Sequence, residues 1–191
     1  LGLDFATITA HKVGGPVGIG ALIYKEGDAN LTPQIVGGGQ EKYMRSGTEN
    51  VISIAGFAKS MELLEDTINK YTKLAYLRDE LESMIFSECK SATFFAKDVS
   101  RLPNTSMISM PGVDTQTQLL YFDINGISIS AGSACSSGKV KNSHVLSAMG
   151  YDASNGGAIR VSLGFGSSMS DIMKFVSLWK GLWQKSQQKV A

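Results

Sequence analysis

Lys12 stands where a lysine side chain could do covalent chemistry. It follows an apolar, β-branched run over 5–8 and leads into a glycine-rich stretch over 14–20. This pattern predicts a buried strand that turns sharply at the lysine. A buried ammonium must be paired, lose its proton or react, and lysine forms Schiff bases with carbonyl compounds once its pKa falls. From the residues alone, an exposed lysine at a strand end stays open as the alternative.

Cys135 is a candidate nucleophile. It lies among small and polar residues over 130–138, directly after a short alternating segment. A thiol in such a setting reaches solvent, and the nearby Lys139 and Lys141 favour its thiolate form. An ordinary free cysteine in a loop is the alternative. Cys89 has no comparable setting and is predicted to be structural.

A third segment carries groups that suit a phosphate. Three glycines at 37–39 precede Arg45, Ser46 and Thr48, and apolar residues recur at helical spacing from Asn50 onward. Bare amides, a guanidinium and hydroxyls just before a helix N-terminus favour anion binding. The alternative is a loop in which Thr48 or Asn50 only caps the helix.

Arg160 lies in an alternating segment over 158–162, as expected of a strand with one buried face. Its guanidinium is solvated, paired with a nearby acid, or used to grip a carboxylate, for which its forked donor geometry is suited. His144 is predicted to lie on a helix surface rather than to act as a base.

These residues are distributed over alternating helices and strands, which predict an α/β protein that divides near residue 67. The first part holds strands at Phe5–Thr9 and Gly20–Tyr24 and the helix from Asn50. The second begins with an amphipathic helix over 66–87, whose apolar side carries Ile68, Tyr71, Leu74, Leu77, Leu81 and Ile85. After it come strands near 105–109, 127–130 and 158–162 and helices at 115–123, 143–149 and 170–183. Ser170 is the predicted N-cap of the last helix, with Asp171 in its first turn.

Composition narrows the function classes. The chain has 191 residues, 43% of them hydrophobic, and a net charge of +1. These values predict a folded protein and lack the basic excess of a nucleic-acid-binding protein. Two cysteines provide no disulfide framework, and a working thiol suits a reducing compartment. No apolar stretch of about 20 residues is present, so no membrane segment is expected.

Together, these motifs closely resemble those of the cysteine desulfurases, pyridoxal-phosphate enzymes of aminotransferase class V. His11-Lys12 followed by glycines, the segment over 38–48, and Gly132-Ser133-Ala134-Cys135-Ser136 occur in the family's order. The resemblance extends from about residue 3 to about residue 182. The cysteine segment is similar to that of the branch with a long cysteine loop, which serves iron–sulfur assembly and nitrogen fixation.

The resemblance implies a PLP-dependent transferase of fold type I. Residues 1–67 would be the C-terminal part of the large cofactor domain, and 68–191 the small C-terminal α/β domain. Groups that bind the pyridine ring belong to the N-terminal portion of the family and are not found in this sequence. The chain is therefore expected to be the C-terminal part of a desulfurase and to be inactive alone.

The resemblance also implies roles for individual residues. Lys12 would hold pyridoxal 5'-phosphate as a Schiff base and later move a proton, and Cys135 would take up the sulfur. Thr9 and His11 would lie at the cofactor, with Thr9 bonding its phosphate and His11 counted among the catalytic residues. Thr48 would bond the phosphate of a partner subunit, which implies a homodimer.

Two further residues are assigned to the substrate by the resemblance. Arg160 would bind the carboxylate of L-cysteine, and Asn104 would lie near the same pocket, where it either touches substrate or only shapes a turn. No metal site and no direct nucleic-acid contact are expected.

The implied reaction removes sulfur from L-cysteine, giving L-alanine and an enzyme persulfide for iron–sulfur cluster assembly or another sulfur-transfer pathway. A sulfur-acceptor or scaffold protein is the implied partner, in the cytoplasm or in a mitochondrial matrix. Another class V enzyme, such as an aminotransferase or a selenocysteine lyase, and a non-catalytic remnant remain alternatives.

Overall fold

The computed structural model describes residues 2–25, 31–131, 143–152 and 156–188. The chain separates into two compact units, Leu1–Ile68 and Asn69–Ala191, called here the first and the second unit. In chain order the elements are β1 (Phe5–Thr9), β2 (Gly20–Tyr24), α1 (Val51–Glu62), α2 (Leu64–Glu88), β3 (Thr105–Pro111), α3 (Thr115–Ile124), β4 (Ser130–Ala131), α4 (His144–Ala148), β5 (Gly156–Ser162) and α5 (Met169–Gln188). Two 3-10 turns, Ala10–Val13 and Gln40–Tyr43, lie in the first unit.

The first unit contains an antiparallel hairpin of β1 and β2, whose register runs from Phe5 opposite Tyr24 to Thr9 opposite Gly20. Both strands have the predicted bounds, but the prediction of a buried strand was wrong. Phe5 is 49% and Ile23 54% exposed. Within the described residues these two strands pair only with each other, and a two-stranded ribbon leaves both of its faces open unless another layer covers them.

The helix predicted from Asn50 is confirmed as α1. Asn50 is its N-cap, and the side-chain oxygen accepts a hydrogen bond of 3.3 Å from the backbone N–H of Ser53. This bond satisfies one of the N–H groups that the first turn of a helix leaves without a partner. Asn50, rather than Thr48, therefore performs the capping that the sequence allowed for either residue.

The long amphipathic helix is also confirmed, as α2. Leu74, Leu81 and Ile85 are buried on its apolar side, and Tyr71 and Leu77 pack partly buried against the same core. Ile68 was wrongly placed on this side, since it is 55% exposed. Tyr71 is the first residue of α2 that packs against the core of the second unit. The apolar spacing therefore begins one helical turn before the part of α2 that other side chains bury.

The second unit is built around a three-stranded antiparallel sheet in the order β3-β5-β4, within the described part of the chain. The last strand in sequence is thus the central one. Alternate residues of a strand point to opposite faces: Ile159 of β5 belongs to the main core and Ala158 to a smaller cluster. The main core joins side chains from the sheet with those of α2, α3 and α5, and its largest fully buried members are Trp179, Phe122, Leu81, Ile85 and Ile108.

A buried charge network joins α2 to the start of β3. Glu82 is 1% exposed, and the Arg101 guanidinium donates to both of its carboxylate oxygens, at 2.6 and 2.8 Å. The Ser106 hydroxyl donates a third bond, of 2.6 Å. Hydrogen bonding to Glu82 raises the pKa of Arg101 above its usual value. The Glu82 carboxylate thus binds Arg101, in the segment before β3, and Ser106, in β3, to helix α2.

The strand predicted over 127–130 and the last helix have bounds that differ from the predicted ones. The strand predicted over 127–130 is reduced to Ser130–Ala131, because only these residues pair with β5; Ile127 and Ile129 pack against the core instead. The last helix begins at Met169, one residue earlier than predicted, and ends at Gln188 rather than at residue 183. Ser168 rather than Ser170 therefore precedes it.

Ser168 and Asp171 form a reciprocal capping pair at the start of α5. The backbone N–H of Ser168 donates to the Asp171 carboxylate at 2.9 Å, and that of Asp171 donates to the Ser168 hydroxyl at 3.4 Å. The hydrogen bond from the Ser168 hydroxyl lowers the pKa of Asp171 below its usual value. The predicted place of Asp171 in the first turn is confirmed.

Candidate active site

Lys12 lies in the 3-10 turn that follows β1. Ala10 is completely buried at the start of this turn, its N–H donates to the Ile19 carbonyl at 3.1 Å, and its carbonyl accepts from Gly15 at 2.8 Å. Gly14 ends the turn with a φ of +82°, a conformation that glycine adopts without strain. The chain therefore reverses at Lys12, as the sequence predicts.

The turn is held closely against α1. A Cβ on Gly15 would lie 2.9 Å from the Ala10 Cβ and 3.0 Å from the Ser60 hydroxyl oxygen, and one on Gly56 would lie 2.6 Å from the Pro16 ring. These distances are shorter than normal van der Waals contact, so both glycines are needed for the approach. Lys12 is consequently presented from a tightly packed backbone.

The Lys12 side chain is exposed, as the alternative interpretation expected. Among the described residues no carboxylate or carbonyl oxygen pairs with its ammonium. An accessible amine that is not engaged in an ion pair is free to react with a carbonyl compound.

Thr9 and His11 flank this turn and contact each other. The Thr9 hydroxyl oxygen lies 2.9 Å from Nδ1 of His11. Thr9 occupies the N-cap position of the turn, yet its side chain makes no capping bond to the backbone. This pairing was not foreseen from the sequence, although the spacing of a hydroxyl and an imidazole two residues apart at a strand end was a readable signal.

The donor set around Lys12 suits an aldehyde that carries a phosphate. Such a group needs a free primary amine for its carbonyl carbon and hydrogen-bond donors for its phosphate oxygens. Lys12 supplies the amine, and Thr9 and His11 supply a hydroxyl and an imidazole within the same short segment. The residues present therefore fit pyridoxal phosphate.

The glycine-rich segment is ordered mainly by its own hydrogen bonds. The Ser46 hydroxyl is buried and donates to the Gly38 carbonyl at 2.8 Å, and its N–H donates to the Ile35 carbonyl at 3.0 Å. The N–H of Gly47 donates to the Gln40 side chain at 3.3 Å. Ser46, one of the predicted phosphate donors, is thus used inside the loop, whereas Arg45 and Thr48 are exposed.

Arg160 lies on β5, opposite Met107 of β3 and Ser130 of β4. Its side chain is exposed, and no acidic partner is found for it among the described residues. The sequence left open that Arg160 pairs with a nearby acid. The residues that the structure describes contain no such pair. The guanidinium is free to bind a carboxylate ligand.

Asn104 ties the entry of β3 to the exit of β5. Its side-chain amide donates to the Leu163 carbonyl at 3.0 Å, and its own carbonyl accepts from the Leu163 N–H at 2.8 Å. Its side-chain oxygen accepts from the Thr105 hydroxyl at 3.2 Å. Leu163 lies three residues after Arg160 in the chain. By bonding to it, Asn104 helps to position β5, the strand that carries this arginine.

Of the two cysteines, the structure describes Cys89 but not Cys135. Cys135 lies outside the described residues, as do Lys139 and Lys141. The strand that leads into its segment, β4, places Ser130 in register with Arg160. Cys89 is 1% exposed and its sulfur lies 3.3 Å from the Ser91 hydroxyl oxygen, in agreement with the structural role predicted for it.

The second unit carries two further candidate features. His144 is exposed at the first position of α4, in agreement with its predicted surface role. A groove of about 400 Å³ in the second unit is lined by Gln116, Leu119, Leu120, Asp123, Ile127, Ser128 and Ile129. Among the described residues no cluster of histidine, cysteine and acidic side chains is arranged as a metal site, and no helix has the length and apolar character needed to cross a membrane.

Comparison with known proteins adds sequence and structural relatives. Residues 1–175 match the Aminotransferase class-V family. The chain is 37% identical over 174 residues to an IscS-like cysteine desulfurase of Mycobacterium tuberculosis, a match that covers 90% of this chain and 44% of that protein. It is 40% identical over 166 residues to a cysteine desulfurase of Nostoc, covering 84% of this chain and 40% of that protein.

A crystal structure of a NifS-like protein from Rickettsia africae is similar in fold. Its TM-score is 0.75 at 37% identity, and the match covers 96% of this chain and 48% of that one. The chain thus spans less than half the length of these relatives.

Proposed function

Because this chain belongs to the Aminotransferase class-V family, whose PLP-dependent members have fold type I, we propose that it is the C-terminal portion of a cysteine desulfurase. The observation that carries the proposal is the exposed Lys12 amine, without an ion-pair partner among the described residues, in the turn that also carries Thr9 and His11. Residues 1–67 are the C-terminal part of a PLP-binding domain, and 68–191 form the small C-terminal domain.

The cofactor of this activity is pyridoxal 5'-phosphate, and Lys12 is the residue that would hold it covalently. When bound, it withdraws electrons from the substrate Cα. Thr9 would bond its phosphate, His11 would lie beside it, and the Lys12 amine would move a proton at its Nζ. Thr48 contributes its hydroxyl to the phosphate in a second subunit, so the active unit is a homodimer.

Arg160 binds the carboxylate of L-cysteine. Its guanidinium is exposed and free of acidic neighbours within the described residues, and two parallel N–H donors match a carboxylate. Asn104 lies at the edge of the same pocket and fixes the end of β5 through Leu163. The substrate is thereby oriented with its side chain available to a thiol.

Cys135 takes the sulfur. Its thiolate attacks the sulfur of the substrate, the carbon–sulfur bond breaks, and the bonding electrons remain on carbon, which is protonated to give L-alanine. The new sulfur–sulfur bond is a persulfide on Cys135. A sulfur-acceptor or scaffold protein then receives this sulfur for iron–sulfur clusters or other products, in a cytoplasmic or mitochondrial-matrix setting.

The assignment of Lys12 is tested on the chain reconstituted with the N-terminal portion that the family carries, by borohydride reduction in the presence of pyridoxal phosphate followed by peptide mass spectrometry. We expect one adduct, on the Lys12 peptide, which Lys12→Ala abolishes. Lys59→Ala is the matched control, because Lys59 is exposed in the same unit but ion-paired with Glu62 at 2.9 Å. An adduct that persists in Lys12→Ala would show that another lysine holds the cofactor.

The assignment of Cys135 is tested on the enzyme reconstituted with the N-terminal portion and loaded with cofactor, by treating it with L-cysteine and locating the added sulfur by mass spectrometry. Cys135→Ser should lose the persulfide but keep cofactor binding, because a hydroxyl is a far poorer nucleophile towards sulfur. Cys89→Ser is the control and should retain the persulfide. Full sulfur release by Cys135→Ser would favour a class V enzyme that needs no thiol.

A further inference from the structure

The strand pairing places three side chains in one row across the sheet of the second unit. Arg160 of β5 is directly opposite Met107 of β3 on one side and Ser130 of β4 on the other. Directly opposite residues of antiparallel strands project from the same face, with their Cβ atoms about 4.5–5.5 Å apart. Arg160 therefore has one apolar neighbour and one hydroxyl neighbour in this row.

The two neighbours leave unequal space beside the guanidinium. Met107 has a long side chain, which is half-buried and packs against the smaller cluster that includes Ala158, so it fills the β3 side. Ser130 is also half-buried but has only a hydroxymethyl group. A ligand of the Arg160 guanidinium is consequently accommodated on the β4 side, next to Ser130.

The Ser130 hydroxyl is available to such a ligand. Among the residues that the structure describes, neither this hydroxyl nor the Arg160 guanidinium has a hydrogen-bond partner. A carboxylate offers about four acceptor sites on its two oxygens. It can therefore take two parallel N–H bonds from a guanidinium and still accept a third bond from a hydroxyl.

We propose that Ser130 is a further substrate-binding residue, whose hydroxyl donates to the amino-acid carboxylate that Arg160 holds. This inference rests on the proposed function, in which Arg160 binds the carboxylate of L-cysteine. It adds a contact from β4, the strand that precedes Cys135 in the chain. The carboxylate is then bound by two adjacent strands rather than by β5 alone.

Ser162 provides a matched control on the same face of β5. It lies two residues after Arg160, opposite Thr105. Its side chain is exposed, and its hydroxyl has no hydrogen-bond partner within the described part of the chain. Two residues along a strand are about 7 Å apart, farther than a directly opposite pair, so the Ser162 hydroxyl is not expected to reach the same carboxylate.

The test compares ligands with and without a carboxylate. The enzyme is reconstituted with the N-terminal portion, loaded with cofactor and given the substitution Cys135→Ser, so that no sulfur is transferred. Dissociation constants of L-cysteine and of cysteamine, which lacks the carboxylate, are measured from the change in cofactor absorbance.

Ser130→Ala should weaken the binding of L-cysteine about tenfold, the worth of one hydrogen bond, and that of cysteamine by less than about twofold. Ser130→Thr retains a hydroxyl and should keep most of the affinity for L-cysteine. Ser162→Ala should change the affinity for either ligand by less than about twofold.

Three results would overturn the role of Ser130. They are unchanged binding of L-cysteine in Ser130→Ala, equal weakening of both ligands in that variant, and an equal loss of L-cysteine affinity in Ser162→Ala. Arg160→Met separates this inference from the proposed function. If Arg160→Met leaves the preference for L-cysteine over cysteamine unchanged, the substrate site of the proposed function is refuted. If Arg160→Met removes that preference and Ser130→Ala does not, only the contact from Ser130 is refuted.

Discussion

Removing the guanidinium of Arg101 should destabilise the second unit more than any other single loss of charge in it. In Arg101→Met the Glu82 carboxylate remains 1% exposed and keeps only the Ser106 hydroxyl. Breaking a buried ion pair from one side costs about 3–5 kcal/mol. Glu82→Met should cost less, about 2 kcal/mol, because Arg101 is 15% exposed and lies 4.0 Å from Asp79, to which it can turn.

The double variant Glu82→Met/Arg101→Met separates the cost of a lone charge from the value of the pair. Replacing both partners by apolar side chains is often close to neutral, so the double variant should be more stable than Arg101→Met by about 2 kcal/mol or more. Lys180→Met is the control: its ion pair with Glu88 is 41% and 35% exposed, and its loss should cost less than about 1 kcal/mol.

Urea unfolding followed by tryptophan fluorescence measures these differences. The chain has two tryptophans, Trp179 and Trp183, and both lie in α5 against the core of the second unit. At an m-value of about 2 kcal/mol/M, Arg101→Met should lower the midpoint by about 1.5–2.5 M. If Arg101→Met lowers the free energy of unfolding by less than about 1 kcal/mol, or if the double variant is no more stable than Arg101→Met, the buried Glu82 carboxylate does not depend on Arg101 and the reasoning is refuted.

Three other outcomes follow from local contacts. The hydrogen bond from the Thr117 side chain lowers the pKa of Asp114 below its usual value. The contribution of this N-cap to the free energy of unfolding is therefore complete above the unfolded-state pKa and disappears as the pH falls through the lower folded-state pKa. Asp114→Ala should therefore cost about 1 kcal/mol at neutral pH and nearly nothing in strong acid, by urea titration at each pH. Gly157→Ala should cost more than about 3 kcal/mol, since its Cβ would overlap the Thr115 backbone, whereas Gly164→Ala, with nothing within 4 Å, should be nearly neutral in thermal unfolding. Cys89→Ser should lower stability by about 1–2 kcal/mol in the same scans because the new hydroxyl is buried.

Local patterns in the sequence were sufficient for most elements. The bounds of β1 and β2 follow from a short apolar run on each side of a glycine-rich turn, and α1 follows from Asn50 and helical spacing. The start of α5 was misplaced because Ser167, Ser168 and Ser170 are all good caps. The pattern of Ser168 followed by Asp171 three residues later distinguishes them, since it forms a reciprocal pair.

What the sequence could not provide is information about partners distant along the chain. Burial of β1 was predicted from its apolar residues, but periodicity identifies a face without showing what covers it. The Glu82 and Arg101 pair is separated by 19 residues, and nothing in the sequence selects this partner among the other charges.

In the candidate site, too, the residues close together in the sequence were predictable and the contacts between distant segments were not. Thr9, His11 and Lys12 were recognisable together because they lie within four consecutive positions, at the end of β1 and in the turn that follows it. The bonds of Asn104 to Leu163, and the register of Ser130 with Arg160, depend on the strand pairing of the finished sheet. The placement of Cys135 stays a prediction, since it lies outside the described residues.

The central place of β5 has a consequence for the order of folding during synthesis. β3 is made first but, apart from a bridge to Phe94, has its ladder partner only when Gly156–Ser162 has been translated. At roughly 5–20 residues per second, the roughly fifty intervening residues take about 3–10 s. During this interval the apolar face of β3 and the α2 side chains that pack with it lack the β5 layer, and Trp179 arrives later still. The second unit therefore completes its core only after Trp179 has been translated, and until then the nascent chain exposes apolar strand surface of the kind that chaperones bind.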